Sequence, residues 1–329
     1  MKRRAFIGLS IAAAFPLVAR AQQSAKKKRL ALIVYKPEEM RIGGHPLATF
    51  FFEELQRLGY VEGVNLIVDR VQYQSARLEE IARDVVATNP DVISSPGTPM
   101  TLRLKAATRA IPIVAMTGDP IRFGLISNLA RPGGNITGVS VDAGVEVWAK
   151  RLALLSSAVP KLRNVVFVSS EGAWTGPGGE AVREAAQKLG ISLLKAPLSS
   201  PYGEAEYRAT FSSIQRDQID GLITSDEGQV LLPHRGLLVQ LIKQLRLPAI
   251  YPYREFAEGG GLMSYSSDLK YVLLRQAAQI ADILRGANPG DIPYSQAERF
   301  ELVVNLKTAK ELGIEIPAEL TAGAAAIIE

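Results

Sequence analysis

The chain has 329 residues, 47% hydrophobic and 22% charged, with 28 Gly and 19 Pro, which is enough for a sizeable core and excludes a disordered or collagen-like chain. No cysteine occurs, so disulfides, thiolate metal sites, a cysteine nucleophile and a lipid-anchoring cysteine are excluded, while two distant histidines, His45 and His234, are too few for the usual metal or histidine-based catalytic cluster. The formal charge of +5 belongs to the start of the chain: the basic residues of 1–21 are Lys2, Arg3, Arg4 and Arg20, and removing them leaves 34 basic against 33 acidic residues.

That first segment has the layout of an export signal, with a basic start, an apolar run from Ala5 to Val18 and an Ala19-Arg20-Ala21 ending that places cleavage after Ala21. The run is too short for a comfortable membrane span, so the mature protein is expected to be soluble and exported to the periplasm. Arg3-Arg4-Ala5-Phe6-Ile7 suits a twin-arginine signal and equally the basic region of an ordinary Sec signal. Lys26 to Arg29 reads as a solvated leader. Beyond it the body is near neutral, with no basic surface interleaved with aromatics, so a nucleic-acid partner is not expected.

From there β-branched runs alternate with helically spaced stretches. Strands are predicted at Leu30–Tyr35, Leu66–Val71, Asp91–Ser95 and Pro112–Met116, with helices at Pro46–Leu58, Leu78–Ala87 and Thr98–Thr108, the last with Thr98 as N-cap and Pro99 at its first position. After the Arg131–Asn135 loop and an extended Ile136–Val141, a second alternation begins with a helix presenting Val145, Trp148, Leu152 and Leu155 on one face. Strands follow at Val165–Ser169, Ile191–Lys195, Gly221–Ser225 and Ala249–Tyr251, with helices at Gly179–Leu189, Glu204–Gln215 and Leu237–Leu245 between them. Such alternation demands mostly parallel sheets covered on both faces, giving an α/β chain of two doubly wound, Rossmann-like lobes without a sequence-level repeat.

The tail adds a strand at Gly261–Ser266, a helix at Lys270–Leu284 and a strand at Phe300–Asn305. The economical solution assigns 29–139 and 262–288 to a first lobe and 140–258 and 296–329 to a second, so that three crossings form a hinge.

Ligands of open parallel sheets sit beyond the carboxyl ends of the strands. The residues there are small hydroxyls, aromatics and carboxylates: Tyr35, Ser95, Thr98 and Asp119 in the first unit, Ser170, Trp174, Asp226 and Tyr253 in the second, with Tyr265 expected between the lobes. This mixture suits hydrogen bonding and stacking of a small polar or amphipathic molecule. Ser95 and Thr98 also suit helix caps, Asp119 before Pro120 suits a turn, and Trp174 lies in a Gly-rich stretch. No nucleophile elbow, phosphate loop, zinc-binding H-E-x-x-H or dinucleotide fingerprint occurs. Binding without cofactor or metal is the expected activity.

Three separated motifs carry a family resemblance: Asp119-Pro-Ile-Arg-Phe-Gly-Leu-Ile-Ser-Asn-Leu-Ala-Arg-Pro-Gly-Gly-Asn-Ile-Thr-Gly-Val-Ser140, Gly260-Gly-Leu-Met-Ser-Tyr265, and Phe300 to Gly313 with Ile316-Pro317. Together they resemble the substrate-binding proteins of ABC transporters, in the family that includes tryptophan/tyrosine-type binding components. The resemblance implies a type 1 periplasmic-binding-protein fold, two lobes closing on an amino acid or related solute, delivery to an inner-membrane permease, a monomer and no reaction. It also implies that the Thr98 loop, Asp119-Pro120 and Ser264-Tyr265 face the cleft from the first lobe, and that the loops near Ser170, Trp174 and Asp226 face it from the second. Ser169 to Gly179 departs from the family's more usual Asn-containing loop, and Leu320 to Glu329 replaces a usually more charged segment. Two alternatives remain: an exported enzyme using Asp119 with Asp226 or Glu227 as acid and base, and a sensing module that docks to a membrane receptor.

Overall fold

A computed structural model describes residues 27–141 and 146–329; the expected export signal and Val145 lie outside them. The first alternation is β1 (Lys28–Val34), α1 (Pro46–Arg57), β2 (Leu66–Gln72), α2 (Leu78–Ala87), β3 (Val92–Pro96), α3 (Gly97–Ala107), β4 (Ile113–Thr117) and β5 (Ile136–Ser140). Lys28 and Arg29 are therefore in the first strand and not in a solvated leader. Asp91 accepts a hydrogen bond from the Arg29 backbone and Asp69 binds its side chain, so the basic run is neutralised locally as it enters the sheet.

The second alternation comprises α4 (Glu146–Ala158), β6 (Asn164–Ser170), α5 (Glu171–Thr175), α6 (Pro177–Lys188), β7 (Ser192–Leu198), α7 (Glu204–Ser212), β8 (Gly221–Thr224), α8 (Gly228–Leu231), α9 (Arg235–Gln244), β9 (Ala249–Tyr251), α10 (Arg254–Glu258) and β10 (Met263–Ser267). The chain closes with α11 (Leu269–Leu284), β11 (Ser295–Gln296), β12 (Phe300–Asn305), α12 (Leu306–Leu312), α13 (Ala318–Ala322) and β13 (Ala326–Ile328).

Two sheets result, one of six strands in the order β11-β5-β4-β3-β1-β2 and one of seven in the order β13-β12-β10-β9-β8-β6-β7. This divides the segment expected to return to the first unit. β10 pairs with β9 and β12 in the second sheet, whereas α11 packs against α1, β4 and β5 of the first. The apolar pattern of 261–266 identifies a strand but carries no label for the sheet that receives it. The C-terminal segment is also structural: β13 runs parallel to β12 and Leu320 is buried.

The chain crosses between the sheets after β5, after β10 and after β11, each time at a carboxyl end. Because β10 leaves the second sheet where β12 enters it, β12 is the antiparallel member, with Tyr265 opposite Leu302. The crossing segments hold one another: Asp268 N donates to Arg299 O (2.9 Å) and Ala297 N to Ser140 O (2.9 Å).

The helices obey local rules. His45 Nδ1 accepts from Leu47 N (3.2 Å) at the start of α1, with Pro46 in its first turn, and Gly59 follows its end with φ +97°, a conformation glycine adopts without strain. Phe51, Phe52 and Leu55 of α1 then meet Leu273, Ala277, Ile280 and Leu284 of α11 over the first sheet. Each large side chain buried there contributes roughly 1.5–3 kcal/mol.

Candidate functional site

The carboxyl edges of the two sheets face each other across a cleft of about 490 Å³. Tyr35 after β1, Thr98 in the first turn of α3, Thr117 at the end of β4 and Gly118 and Asp119 after it line it from the first lobe; Asp226 after β8 and Tyr253 after β9 line it from the second. Five of the residues predicted from strand ends, Tyr35, Thr98, Asp119, Asp226 and Tyr253, are thus brought together.

Their local roles differ from expectation in detail. The N-cap of α3 is Pro96, followed by Gly97 at φ +70°, so Thr98 is not the cap; its hydroxyl accepts from Gly118 N (3.3 Å) and joins the β3 and β4 loops. Asp119 Oδ1 accepts from Ile121 N (3.0 Å) and Arg122 N (3.1 Å), closing a turn. Tyr253 donates its hydroxyl proton to the Asp226 carbonyl (2.7 Å). Burial holds the Asp226 carboxyl above its ordinary value of 3.8, with Arg151 pulling the other way. Burial likewise raises the Tyr253 hydroxyl well above 10, with Asp226 and Tyr35 of the opposite lobe close enough to add to the effect.

Four predicted residues lie elsewhere. Ser95 is buried beneath α3, its hydroxyl 2.9 Å from that of Thr101. Ser170 caps α5, accepting from Ala173 N (3.1 Å). Trp174 is on that helix and not in a loop; its ring is turned to Phe167 (6.1 Å) and flanked by Arg183 (4.9 Å) and Lys195 (5.8 Å). Tyr265 stacks on Phe300 (5.7 Å, 19°) beside a separate hollow with Glu146 and Val147, and with Ser264 it belongs to the second lobe's sheet. In each case strand or helix direction, which a strand-end argument ignores, turns the side chain away.

The aromatic wall is what the sequence reading missed. Trp148 and Phe167 line the cleft edge to face (5.5 Å, 80°), with the Arg151 guanidinium 4.8 Å from the Trp148 ring centre. Both occupy regular apolar positions and so read as core; only Trp148's place in the first turn of α4, directly after a crossing, could have marked it. Opposite them, Leu102 and Phe123 form a lip, 37% and 38% exposed.

The remaining wall is bare backbone: Gly172, Ala173, Gly176, Pro177 and Gly178 of α5 and α6. A Cβ on Gly178 would stand 3.3 Å from the Trp148 indole, so glycine lets the helix start rest on that ring. Glu227 is fully engaged by protein: it accepts from Ser170 N (2.9 Å), Ser170 Oγ and Ser225 Oγ (2.9 Å). Across the mouth, Arg122 of the first lobe pairs with Glu180 in the first turn of α6 (2.8 Å). Among the described residues no His/Cys/Asp/Glu group could hold a metal ion, and no helix is long and apolar enough to cross a membrane.

A two-lobed α/β chain with three crossings and a cleft lined from both sides is a solute-binding architecture of the type 1 periplasmic-binding-protein kind. The family model described as "ABC transporter substrate binding protein" matches residues 49–328, and the chain belongs to that family. It is similar to the tyrosine-binding protein of Clostridioides difficile (strain R20291), 24% identical over 270 residues, 80% of this chain and 76% of that protein. Among solved structures, a conserved domain protein from Vibrio cholerae superposes with a TM-score of 0.79 at 26% identity, covering 92% of this chain and 99% of that one. An ABC domain from Streptococcus pneumoniae in complex with L-Trp superposes with a TM-score of 0.74 at 22% identity, covering 92% and 100%.

Proposed function

We propose that this substrate-binding protein captures a free aromatic amino acid, or a close relative of one, and passes it chemically unchanged to an inner-membrane permease. The observation that carries this reading is that the cleft joins aromatic side chains, Trp148 and Phe167 of the second lobe and Tyr35 of the first, to one half-buried carboxylate, Asp226, with Arg151 acting on it. An ammonium group suits Asp226, a ring suits the wall, and a solute carboxylate suits the amino end of α3 beside Thr98. The tyrosine and tryptophan named for two similar proteins agree with that arrangement.

Turnover is not part of the reading. Asp119 closes a turn through Oδ1, Glu227 is occupied by serine donors, and Asp226 is attracted by Arg151, so each of the three carboxylates considered for acid–base work has a protein partner. The A-x-A ending at Ala21 and the family together support a periplasmic protein that loses residues 1–21, and the same reading takes it to act as a monomer.

The test combines three measurements on the mature chain. Calorimetry with L-tyrosine and L-tryptophan should show binding, small-angle scattering should show a smaller radius of gyration at saturation, and mass spectrometry after long incubation should return the amino acid intact. Chemical conversion, or no binding of either probe, would overturn the reading.

A further inference from the structure

We propose that Glu227 is a positioning residue: its carboxylate fixes the amino end of α5 and thereby sets the distance between the solute and the backbone wall of Gly172, Ala173, Gly176 and Gly178. The inference rests on the cleft being the solute site and assigns different work to two consecutive carboxylates, Asp226 for the solute and Glu227 for the wall.

The geometry begins at the ends of β6 and β8, neighbours in the second sheet. Glu227 Oε2 takes Ser170 N–H and Ser225 O–H at 2.9 Å each, and Oε1 takes the Ser170 hydroxyl, so one carboxylate ties both strand ends together. Ser170 is in turn the N-cap of α5. A helix of five residues has no cooperative stability of its own, and its direction is set by its anchors. Glu227 and Ser170 form the first anchor. The second is Trp174, wedged beside Phe167 and Arg183, with the Arg183 guanidinium donating to the Trp174 carbonyl.

Between these anchors the helix shows the cleft only glycine and alanine. No side chain there can change rotamer to absorb a displacement, so movement of the α5 backbone becomes movement of the wall.

Glu227→Ala, Glu227→Gln and Ser225→Ala would be titrated with L-tyrosine. The same Glu227 substitutions would be read in unliganded Trp148→Phe protein, where Trp174 is the one remaining tryptophan. Glu227→Ala is expected to weaken L-tyrosine binding tenfold or more and to red-shift Trp174 emission. Glu227→Gln, which keeps an acceptor for Ser170 N–H, should recover part of both effects, and Ser225→Ala should cost less than threefold. The melting temperature of the Gln variant should stay within a few degrees of the parent, so the proposal can be judged even if the Ala variant does not fold. Wild-type affinity and unchanged Trp174 emission in Glu227→Gln would overturn the proposal. So would lost binding with unchanged emission, which would make Glu227 a direct solute contact. If the parent binds neither L-tyrosine nor L-tryptophan, the solute reading fails, while Trp174 emission in unliganded protein still decides whether Glu227 anchors α5.

Discussion

Asp226 occupies its place at a cost to the unliganded protein. Its carboxyl titrates above the ordinary 3.8 because burial disfavours the charge, so this group favours the fold below the ordinary carboxylate range and that contribution is lost as pH rises through the raised value. At neutral pH the ionised side chain therefore weighs against stability, and a bound ammonium group would relieve it. Asp226→Asn should melt at or above the parent temperature at pH 7 without ligand, with the difference vanishing as both are acidified below the ordinary carboxylate range. The same variant should bind L-tyrosine about tenfold to a hundredfold more weakly, the scale of losing a hydrogen bond to a charged group. Parent solute affinity should itself fall on acidification, once Asp226 is protonated. Parallel melting and calorimetry across pH would check all three. Asp226 was legible in the sequence because strand ends of open parallel sheets gather at one edge. Trp148 was not, because a residue that serves both core and cleft has the same spacing as one that serves the core alone.

Among the elements, the first sheet shows how closely packing constrains sequence. A Cβ on Gly138 of β5 would lie 2.0 Å from the Ala115 carbonyl oxygen of β4, a clash with backbone that no rotamer can relieve. Gly138→Ala should thus destabilise the protein by about 3 kcal/mol, the scale of an overpacked core, seen as a lower denaturation midpoint with unchanged slope. Most elements could be read from periodicity and punctuation: α2 and β12 fall where apolar spacing, Asn89-Pro90 and a β-branched run place them. β11, two residues long, and β13, three, are below the length at which alternation is visible. β10 was recognised as a strand but assigned to the wrong lobe, since pairing partners are chosen in space and leave no trace in one strand's pattern. Likewise α5 was read as loop because Gly172 within it and Gly176 after it outweigh its single cap, whereas contacts from Glu227 and Phe167 decide its conformation.

At the scale of the whole molecule, the Arg122–Glu180 pair bridges the two lobes at the mouth of the cleft. Both partners are substantially exposed, at 38% and 56% of their side chains, so the pair contributes about 0.2–1 kcal/mol and is screened by salt. Because the pair spans both lobes, that small energy counts only when they are closed. Arg122→Ala or Glu180→Ala should weaken solute affinity by no more than about fivefold and flatten its dependence on ionic strength. The exchanged Arg122→Glu/Glu180→Arg protein should regain most of the loss. Full closure of a mostly open population needs a differential of about 5.5 kcal/mol, so the larger share must come from the solute touching both walls.

The position of α11 has a consequence for how the chain is made. Leu273, Ala277, Ile280 and Leu284 cover Phe51, Phe52 and Leu55, yet they are synthesised more than 200 residues later. The amino-terminal half can form its strands early but must wait with an oily face uncovered until the second half has largely emerged. Maturation is thus an all-or-nothing affair near the end of synthesis, and a ribosome stalled before Leu269 would release a chain fit for chaperones and proteases, never a working half-receptor.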